Sequence, residues 1–452
     1  MQIILHSPIF TSRNHIKYFF EPAVSLISRY NQSTTMAISR LERTSRRKNI
    51  LIGSAISLVV LFALTLGAIA GGTLRESYRN DPMFFSPFLE SVQQAKSKPL
   101  QKYSIPELAK QQIPPTEIRI QSVIDDNADF TSYLFSYETY GGTITGQLNV
   151  PQSIRETISE TSEESSATAN TTDNASSATP VIVMLRGYHP LPSYTTGGGT
   201  RNGAAALAKA GFITIAPDFL GYGGSDPEFE DSWEARLAKP AQIIQLLETI
   251  TQVGLPLQNT LNQTVRVSIA QDQVGLWAHS NGGQIALTVL EVLSEPFPTT
   301  LWAPVTAPFP YSVLYFGLEQ ADEGKSQRRW LAQFEETYDV YDFSISRHMD
   351  RLTGTIQLHH GTADEAAPIV WSDSFESWVT AENNRREQLI EEDITENESA
   401  TETGMIDELN QVPLLPIDLT YYRYPGVDHN MRPSWDQVVE RDINFFRLQL
   451  LQ

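Results

Sequence analysis

Short apolar runs alternate along most of the chain with stretches of helical periodicity. The apolar runs predict buried strands, and the amphipathic stretches between them predict helices. The predicted strands are residues 180–188, 212–218, 274–278, 299–305, 355–361 and 419–426, and the predicted helices are 202–211, 241–252, 283–293, 370–379 and 434–450. This alternation predicts an α/β fold, with a mainly parallel central sheet covered by helices on both faces.

Three further segments show the period of two that is typical of antiparallel strands. They are residues 118–124, 129–139 and 143–151, with Gly141 and Gly142 at a turn. We therefore expect one large α/β domain over 113–452, and a small cap inserted between the strands near 305 and 355. Residues 153–179 are rich in Ser and Thr, and residues 391–410 are strongly acidic, so both are predicted to be disordered insertions.

Residues 50–72 carry no charge and are long enough to cross a membrane. As a helix they would span ~35 Å, against a hydrocarbon core of ~30 Å. Arg46, Arg47 and Lys48 lie just before them, which predicts a single-pass signal anchor with a basic cytoplasmic tail over 1–49 and the C-terminal domain outside the cytoplasm. The alternative is a signal peptide cleaved after Ala70, giving a secreted protein. Residues 73–112 are predicted to form a stalk, and Met36 is an alternative start.

The composition and charge limit the partners and the reaction types that are possible for this chain. The formal charge is −20 and there is no cysteine, which argues against a nucleic-acid partner and excludes thiolate nucleophiles, disulfides and cysteine metal sites. The pair His359 and His360 lacks further ligands at metal-binding spacing, and adjacent strand residues face opposite ways. We therefore predict neither a metal nor a cofactor. Nothing in the sequence indicates an oligomeric state.

A serine between a predicted strand and a predicted helix is the main candidate for chemistry. In A-H-S-N-G-G, Ser280 is flanked by Ala278, Gly282 and Gly283, whose small side chains allow the tight turn of a nucleophile elbow. The backbone N–H of Asn281, at the helix start, then points toward a developing oxyanion. The competing interpretation is an ordinary helix N-capping serine.

Two residues downstream fit the chain order serine, acid, histidine. Asp364 follows the strand that ends at 361, and His429 follows the strand that ends at 426 and is the only histidine after Asp364. Glu365 and Asp428 are rival acids. The loop after the first parallel strand contains Tyr188, whose backbone N–H is predicted to be the second oxyanion donor.

The stretches APDFLGYGGSDPE, AHSNGGQIAL, HGTADEAAP and YPGVDHN resemble the α/β-hydrolase superfamily, and most closely the catalytic domain of the prolyl oligopeptidase family. The resemblance covers about residues 130–450. It implies that Ser280 is the nucleophile, His429 the general base and Asp364 the residue that orients it. Two departures are Ala278 in place of glycine and the lack of room for a β-propeller in residues 73–128.

The function predicted first is a membrane-anchored serine hydrolase, favoured as a serine-type peptidase acting on a peptide or small acyl substrate. The alternatives are a carboxylesterase or acyl esterase of the dienelactone-hydrolase type, and a non-catalytic surface binding module. Arg328 and Arg329, in the predicted cap, are candidates for binding a substrate carboxylate or are surface charges.

Overall fold

The computed structural model describes residues 98–167, 179–318, 321–401 and 415–451. Within these residues, strands β1–β5 and β8–β11 form one nine-stranded sheet in the order β1-β2-β3-β5-β4-β8-β9-β10-β11, and β6 and β7 form a separate hairpin. The strands are β1 (Arg119–Asp126), β2 (Phe130–Thr139), β3 (Gly142–Pro151), β4 (Val181–Leu185), β5 (Ile213–Pro217), β6 (Leu255–Gln258), β7 (Thr264–Val267), β8 (Val274–His279), β9 (Thr299–Trp302), β10 (Thr355–Gly361) and β11 (Asp418–Tyr424).

The direction of the strands divides the sheet into two parts. From β5 through β4, β8, β9 and β10 to β11 every neighbouring pair is parallel. The pairs β1–β2, β2–β3 and β3–β5 are antiparallel. The predicted parallel sheet and the predicted N-terminal antiparallel segments are therefore both confirmed. All six parallel strands end at the same edge, where the loops of an α/β protein carry its chemistry.

Helices cover both faces of the sheet. They are α1 (Ile105–Leu108), α2 (Gln152–Ala167), α3 (Arg201–Lys209), α4 (Ser232–Leu237), α5 (Lys239–Gln252), α6 (Asn281–Leu293), α7 (Tyr311–Gly317), α8 (Lys325–Glu335), α9 (Val370–Thr401) and α10 (Trp435–Leu450). Alternate residues of the buried strands supply two cores. Val183 and Leu276 face α5, α6 and α9, whereas Met184 and Trp277 face α3 and α10.

The insertion between β9 and β10 is helical. It contains α7, α8 and three short 3₁₀ turns, and its aromatic side chains form a small core of their own. The indole of Trp330 in α8 stacks on that of Trp233 in α4, with ring centroids 3.5 Å apart. Phe309 and Phe334 complete this core, which holds the insertion against α4.

Two predictions of disorder are wrong over part of their length. Residues 152–167 form α2, because the buried guanidinium of Arg155 donates to the carbonyl oxygens of Gln258 and Asn259, at 3.1 and 3.0 Å, and ties the helix to the β6–β7 turn. The acidic stretch from 391 continues α9 to Thr401, since Glu is a good helix former in spite of its charge. The rest of both segments, 168–178 and 402–414, lies outside the described residues.

The stalk predicted over 73–112 is also corrected where the structure describes it. Leu100, Tyr103, Ile105 and Leu108 are buried, so residues 98–112 pack onto the domain instead of leading away from it. The predicted tail, the predicted membrane anchor over 50–72 and the first part of the stalk lie outside the described residues. In the part of the chain that is described, no helix is both long and apolar enough to span a membrane.

Candidate active site

Ser280 lies on a sharp turn between β8 and α6. Its backbone has φ 56° and ψ −122°, a conformation that residues with a side chain rarely adopt. Hydrogen bonds to the neighbouring segment hold the turn in place. The Ser280 N–H donates to the Trp302 carbonyl at 2.9 Å, and the Ser280 carbonyl accepts from the Gly283 and Val305 N–H groups, both at 2.9 Å. A strained serine held in this way has the backbone geometry expected of the predicted nucleophile elbow.

The small residues around Ser280 are required by close packing. A Cβ atom on Gly282 would overlap the Leu185 carbonyl oxygen, and one on Gly283 would overlap Pro304. Ala278 is fully buried, so a methyl group is accommodated where the usual motif has glycine. The substitution of alanine at this position therefore leaves the elbow intact.

Asp364 and His429 meet at the same edge of the sheet, from the loops after β10 and β11. The Nδ1–H of His429 donates to Asp364 Oδ2 at 2.7 Å, and the Asp364 side chain is fully buried. The other carboxylate oxygen, Oδ1, accepts from the backbone N–H groups of Ala366 and Ala367, at 2.8 and 2.9 Å. With its Nδ1 hydrogen directed at the carboxylate, neutral His429 keeps a free lone pair on Nε2, where a general base must accept a proton.

A second histidine also holds Asp364. The Nε2–H of His360 is shared between Asp364 Oδ2, at 3.1 Å, and the Ala367 carbonyl oxygen, at 2.9 Å, while its Nδ1 lies 2.7 Å from the Ser372 hydroxyl. Burial raises the pKa of the Asp364 carboxyl, but hydrogen bonds from His360, His429 and the Ala367 N–H outweigh it and hold the pKa well below its usual range. Asp364 is therefore ionised at neutral pH.

The rival acids have other positions. The Asp428 carboxylate accepts from the backbone N–H groups of Asn430 and Arg432, at 2.9 and 2.8 Å, and so shapes its own loop. Glu365 is exposed. Only Asp364, of these three acids, contacts the His429 ring.

His279, the residue directly before Ser280, connects the elbow to the His429 loop. Its Nε2–H donates to the His429 carbonyl oxygen at 2.9 Å, and the two imidazole rings lie 4.7 Å apart between centroids. Burial lowers the pKa of His279 to about 4, so the ring is neutral at physiological pH and stays a single donor. Neither the role of His279 nor that of His360 follows from the sequence, where His360 is considered only as a metal ligand and where the partner of His279 lies 150 residues away.

The loop after β4 also lies close to Ser280. A Cβ atom on Gly187 would lie 2.7 Å from Ser280 Cβ and 3.2 Å from Ser280 Oγ. Buried Arg186 fixes this loop by donating to the carbonyl oxygens of Gly187 and Asp218, at 2.9 and 2.8 Å. The backbone of Tyr188 follows directly, while its side chain is exposed. The structure thus brings Gly187, the residue before Tyr188, against Ser280, and the roles of the Tyr188 and Asn281 N–H groups as oxyanion donors stay a prediction.

A cavity opens beside Asn281, on the side of the helical insertion. Its walls include Tyr103, Phe309 and Phe343, and its polar groups include Arg236 and Gln284. The two arginines that the sequence suggested for substrate binding, Arg328 and Arg329, are exposed on α8 and do not line it. The cation that lines this cavity is Arg236, which sequence spacing did not indicate.

The strand order, the elbow after central strand β8, and the acid and histidine after β10 and β11 together are the arrangement of the α/β-hydrolase fold. No protein-family model matches the chain, and no curated protein sequence matches it.

Several solved structures are similar at low identity. Acetyl xylan esterase 1 from Thermoanaerobacterium sp. is 13% identical with a TM-score of 0.45, over 77% of this chain and 94% of that one. A puromycin-hydrolysing peptidase from Mycobacterium tuberculosis is 13% identical with a TM-score of 0.45, over 72% of this chain and 40% of that one. An S-formylglutathione hydrolase from Agrobacterium tumefaciens is 14% identical with a TM-score of 0.43, over 73% of this chain and 100% of that one. Similarities this low carry no conclusion about activity, and we infer the function from the geometry of the site.

Proposed function

We propose that this chain is a serine hydrolase with Ser280 as nucleophile, His429 as general base and Asp364 as the orienting acid. The observation that carries the proposal is the 2.7 Å hydrogen bond from His429 to the buried Asp364 carboxylate, together with the contact of His429 with His279, the residue before a serine held at φ 56°. A structural serine cap does not require a strained backbone, and a structural histidine does not require a buried, ionised partner. Both features are expected where a hydroxyl has to be activated.

The proposed reaction is acyl transfer in two steps. Ser280 Oγ attacks the substrate carbonyl carbon while His429 Nε2 takes the hydroxyl proton, and the N–H groups of Asn281 and Tyr188 stabilise the oxyanion. His429 then gives its proton to the leaving group as the carbonyl re-forms, which leaves an acyl ester on Ser280. Water, deprotonated by His429, then attacks that ester, and His429 returns the proton to Ser280 Oγ as the acid product leaves. Asp364 stays ionised throughout and stabilises the protonated imidazole.

Within this class we propose a serine-type peptidase related to the prolyl oligopeptidase family. The support is the S-N-G-G and H-G-T-A-D-E sequences around Ser280 and Asp364. An acyl esterase is the second candidate. The esterase is favoured by the size of the element near the site. The helical insertion over 306–354 is far smaller than the β-propeller of the prolyl oligopeptidase family. We do not favour a non-catalytic binding module, since such a module has no need of the Asp364–His429 pair.

We further propose that residues 50–72 anchor the protein in a membrane, with the hydrolase domain on the outer side. The support is the uncharged length of this segment and the basic residues before it. Protease added to intact cells tests this. Digestion of the hydrolase domain without lysis agrees with the proposal, and protection until lysis contradicts it. Release of a shortened chain into the medium would instead indicate cleavage after Ala70.

The hydrolase proposal is tested by turnover of paired substrates. The full chain is assayed with aminoacyl 4-nitroanilides and with short-chain 4-nitrophenyl esters, beside Ser280→Ala and His429→Gln. Ser377→Ala, at an exposed helical serine of α9, is the matched control. Turnover that is lost in both site variants and kept in the control supports the proposal. Anilide turnover selects the peptidase, and ester turnover alone selects the esterase. Turnover that survives in Ser280→Ala contradicts the assignment.

A further inference from the structure

Arg236, on α4, is a half-buried cation that lines the cavity beside Asn281. Its guanidinium donates to the side-chain oxygen of Gln284 at 3.0 Å. Among the described residues, no Asp or Glu forms an ion pair with it. Burial lowers the pKa of Arg236 to about 10, and the group therefore remains charged at neutral pH.

The other cations in the interior of the domain have several partners, although not always an acid. Arg186 donates to two backbone carbonyls and lies over the rings of Tyr194 and Tyr222. Arg386 pairs with Glu382 at 2.8 Å and also donates to several backbone carbonyls. Lys239, three residues after Arg236, pairs with Glu228 at 3.0 Å. A buried charge without a partner is costly, and a protein of formal charge −20 has many carboxylates from which one could be supplied. Arg236 has Gln284 as its one hydrogen-bond partner among the described residues, which leaves guanidinium donors for a ligand.

The position of Arg236 relates it to the nucleophile. Its partner Gln284 follows Ser280 by four residues on α6, a rise of about 6 Å along the helix. The same cavity is lined by the apolar side chains of Ile285, Phe309 and Phe343 and by Asn281, the residue after Ser280. A molecule with its carbonyl at Ser280 would reach Arg236 through a short apolar chain, and a terminal carboxylate would match the forked guanidinium.

We propose that Arg236 is the anion-binding group of a substrate subsite, and that the substrate carries a carboxylate a few methylene groups from the scissile carbonyl. The inference rests on the proposed hydrolase function. It adds a substrate class, namely an acid-terminated acyl group, and assigns its recognition to Arg236 with Gln284 as the group that orients the guanidinium.

Two esters of equal length test the inference. The full chain is assayed with mono-4-nitrophenyl adipate, which ends in a carboxylate, and with methyl 4-nitrophenyl adipate, in which that carboxylate is masked. The ratio of their kcat/KM values reports recognition of the charge, and it is unaffected by a loss of active protein. We expect the wild-type ratio to exceed one, Arg236→Gln to lower it roughly 10- to 100-fold, and Arg236→Lys to restore part of it.

Arg328→Gln is the matched control, because it removes one positive charge from the exposed face of α8. Its ratio should equal that of the wild type. A wild-type ratio at or below one, or a ratio that Arg236→Gln does not lower, overturns the inference. The hydrolase proposal is judged separately, and it stands if either ester is turned over in a way that depends on Ser280.

A binding measurement separates the two proposals if neither ester is turned over. Monomethyl adipate is titrated by calorimetry into Ser280→Ala and into the double variant Ser280→Ala/Arg236→Gln. Binding to the first and its loss in the second support the anion subsite without any catalytic step. No difference between the two proteins overturns it.

Discussion

The strained backbone of Ser280 has a consequence for stability that can be measured apart from catalysis. Ser280→Ala and Ser280→Gly both remove the hydroxyl, so the difference between them isolates the backbone. At φ 56° and ψ −122° a residue with a Cβ atom is expected to be strained by about 1–3 kcal/mol, which glycine relieves. Glycine loses about 0.5–1 kcal/mol through the greater freedom of its unfolded chain. Ser280→Gly should therefore be the more stable variant by about 1 kcal/mol.

Chemical and thermal unfolding of the two variants provide the assay. The expected difference corresponds to a higher urea midpoint and to about 1–2 °C in Tm for a domain of this size. Ser377 is the control position, since it is exposed in the regular helix α9. There glycine should be about 1 kcal/mol less stable than alanine. If glycine is also the less stable residue at 280, the elbow is not strained and the reasoning from its dihedral angles is refuted.

Three further substitutions follow from buried polar groups. Asp364→Asn should lower kcat/KM by roughly a thousand- to ten-thousand-fold on whichever ester or anilide the wild type cleaves, because an amide NH₂ would face an N–H donor in either orientation. Glu291→Met should raise the free energy of unfolding at pH 7 by about 1–3 kcal/mol, because within the described residues neither Glu291 carboxylate oxygen has a hydrogen-bond partner. Burial raises the pKa of Glu291, so the folded protein keeps a proton that the unfolded chain releases above pH about 4.3. The stability gained by Glu291→Met over the wild type should therefore shrink below that pH, as measured by urea titrations. The free energy of unfolding should fall less between pH 6.5 and about 4 in His279→Gln than in the wild type. In that range His279 binds a proton in the unfolded chain but stays neutral in the folded protein.

A different outcome would contradict each of these three predictions. Activity of Asp364→Asn within tenfold of the wild type would mean that the acid does not orient His429. A destabilised Glu291→Met, in a protein that still folds, would mean that the carboxylate has a stabilising role. For His279, equal acid slopes in the variant and the wild type would mean that the buried ring titrates as it does in the unfolded chain.

The residues predicted from sequence are those whose role depends on local spacing or on chain order. Ala278, Gly282 and Gly283 lie within three residues of Ser280, and the turn itself demands small side chains there. Asp364 and His429 follow strands that the apolar pattern locates, and parallel strands bring their ends to one edge. These positions therefore follow from rules that act over a few residues at a time.

The residues missed from sequence act through partners that are remote in the chain or that no motif marks. His279 contacts a carbonyl 150 residues away, and Arg236 contacts Gln284 across 48 residues. The composition of 153–167 offers little to bury, yet Arg155 ties α2 to the β6–β7 turn and Ile158 packs into the main core. Such contacts depend on the packed fold, which local patterns do not describe.

The central claim is that Ser280 is an activated nucleophile, and covalent labelling tests it most directly. The full chain is treated with a fluorophosphonate probe, and the adduct is located by mass spectrometry of peptides, with Ser280→Ala and Ser377→Ala treated in parallel. We predict one adduct, on Ser280, absent from Ser280→Ala and unchanged in Ser377→Ala. A folded wild-type protein that forms no adduct, or an adduct that persists in Ser280→Ala, would contradict the account.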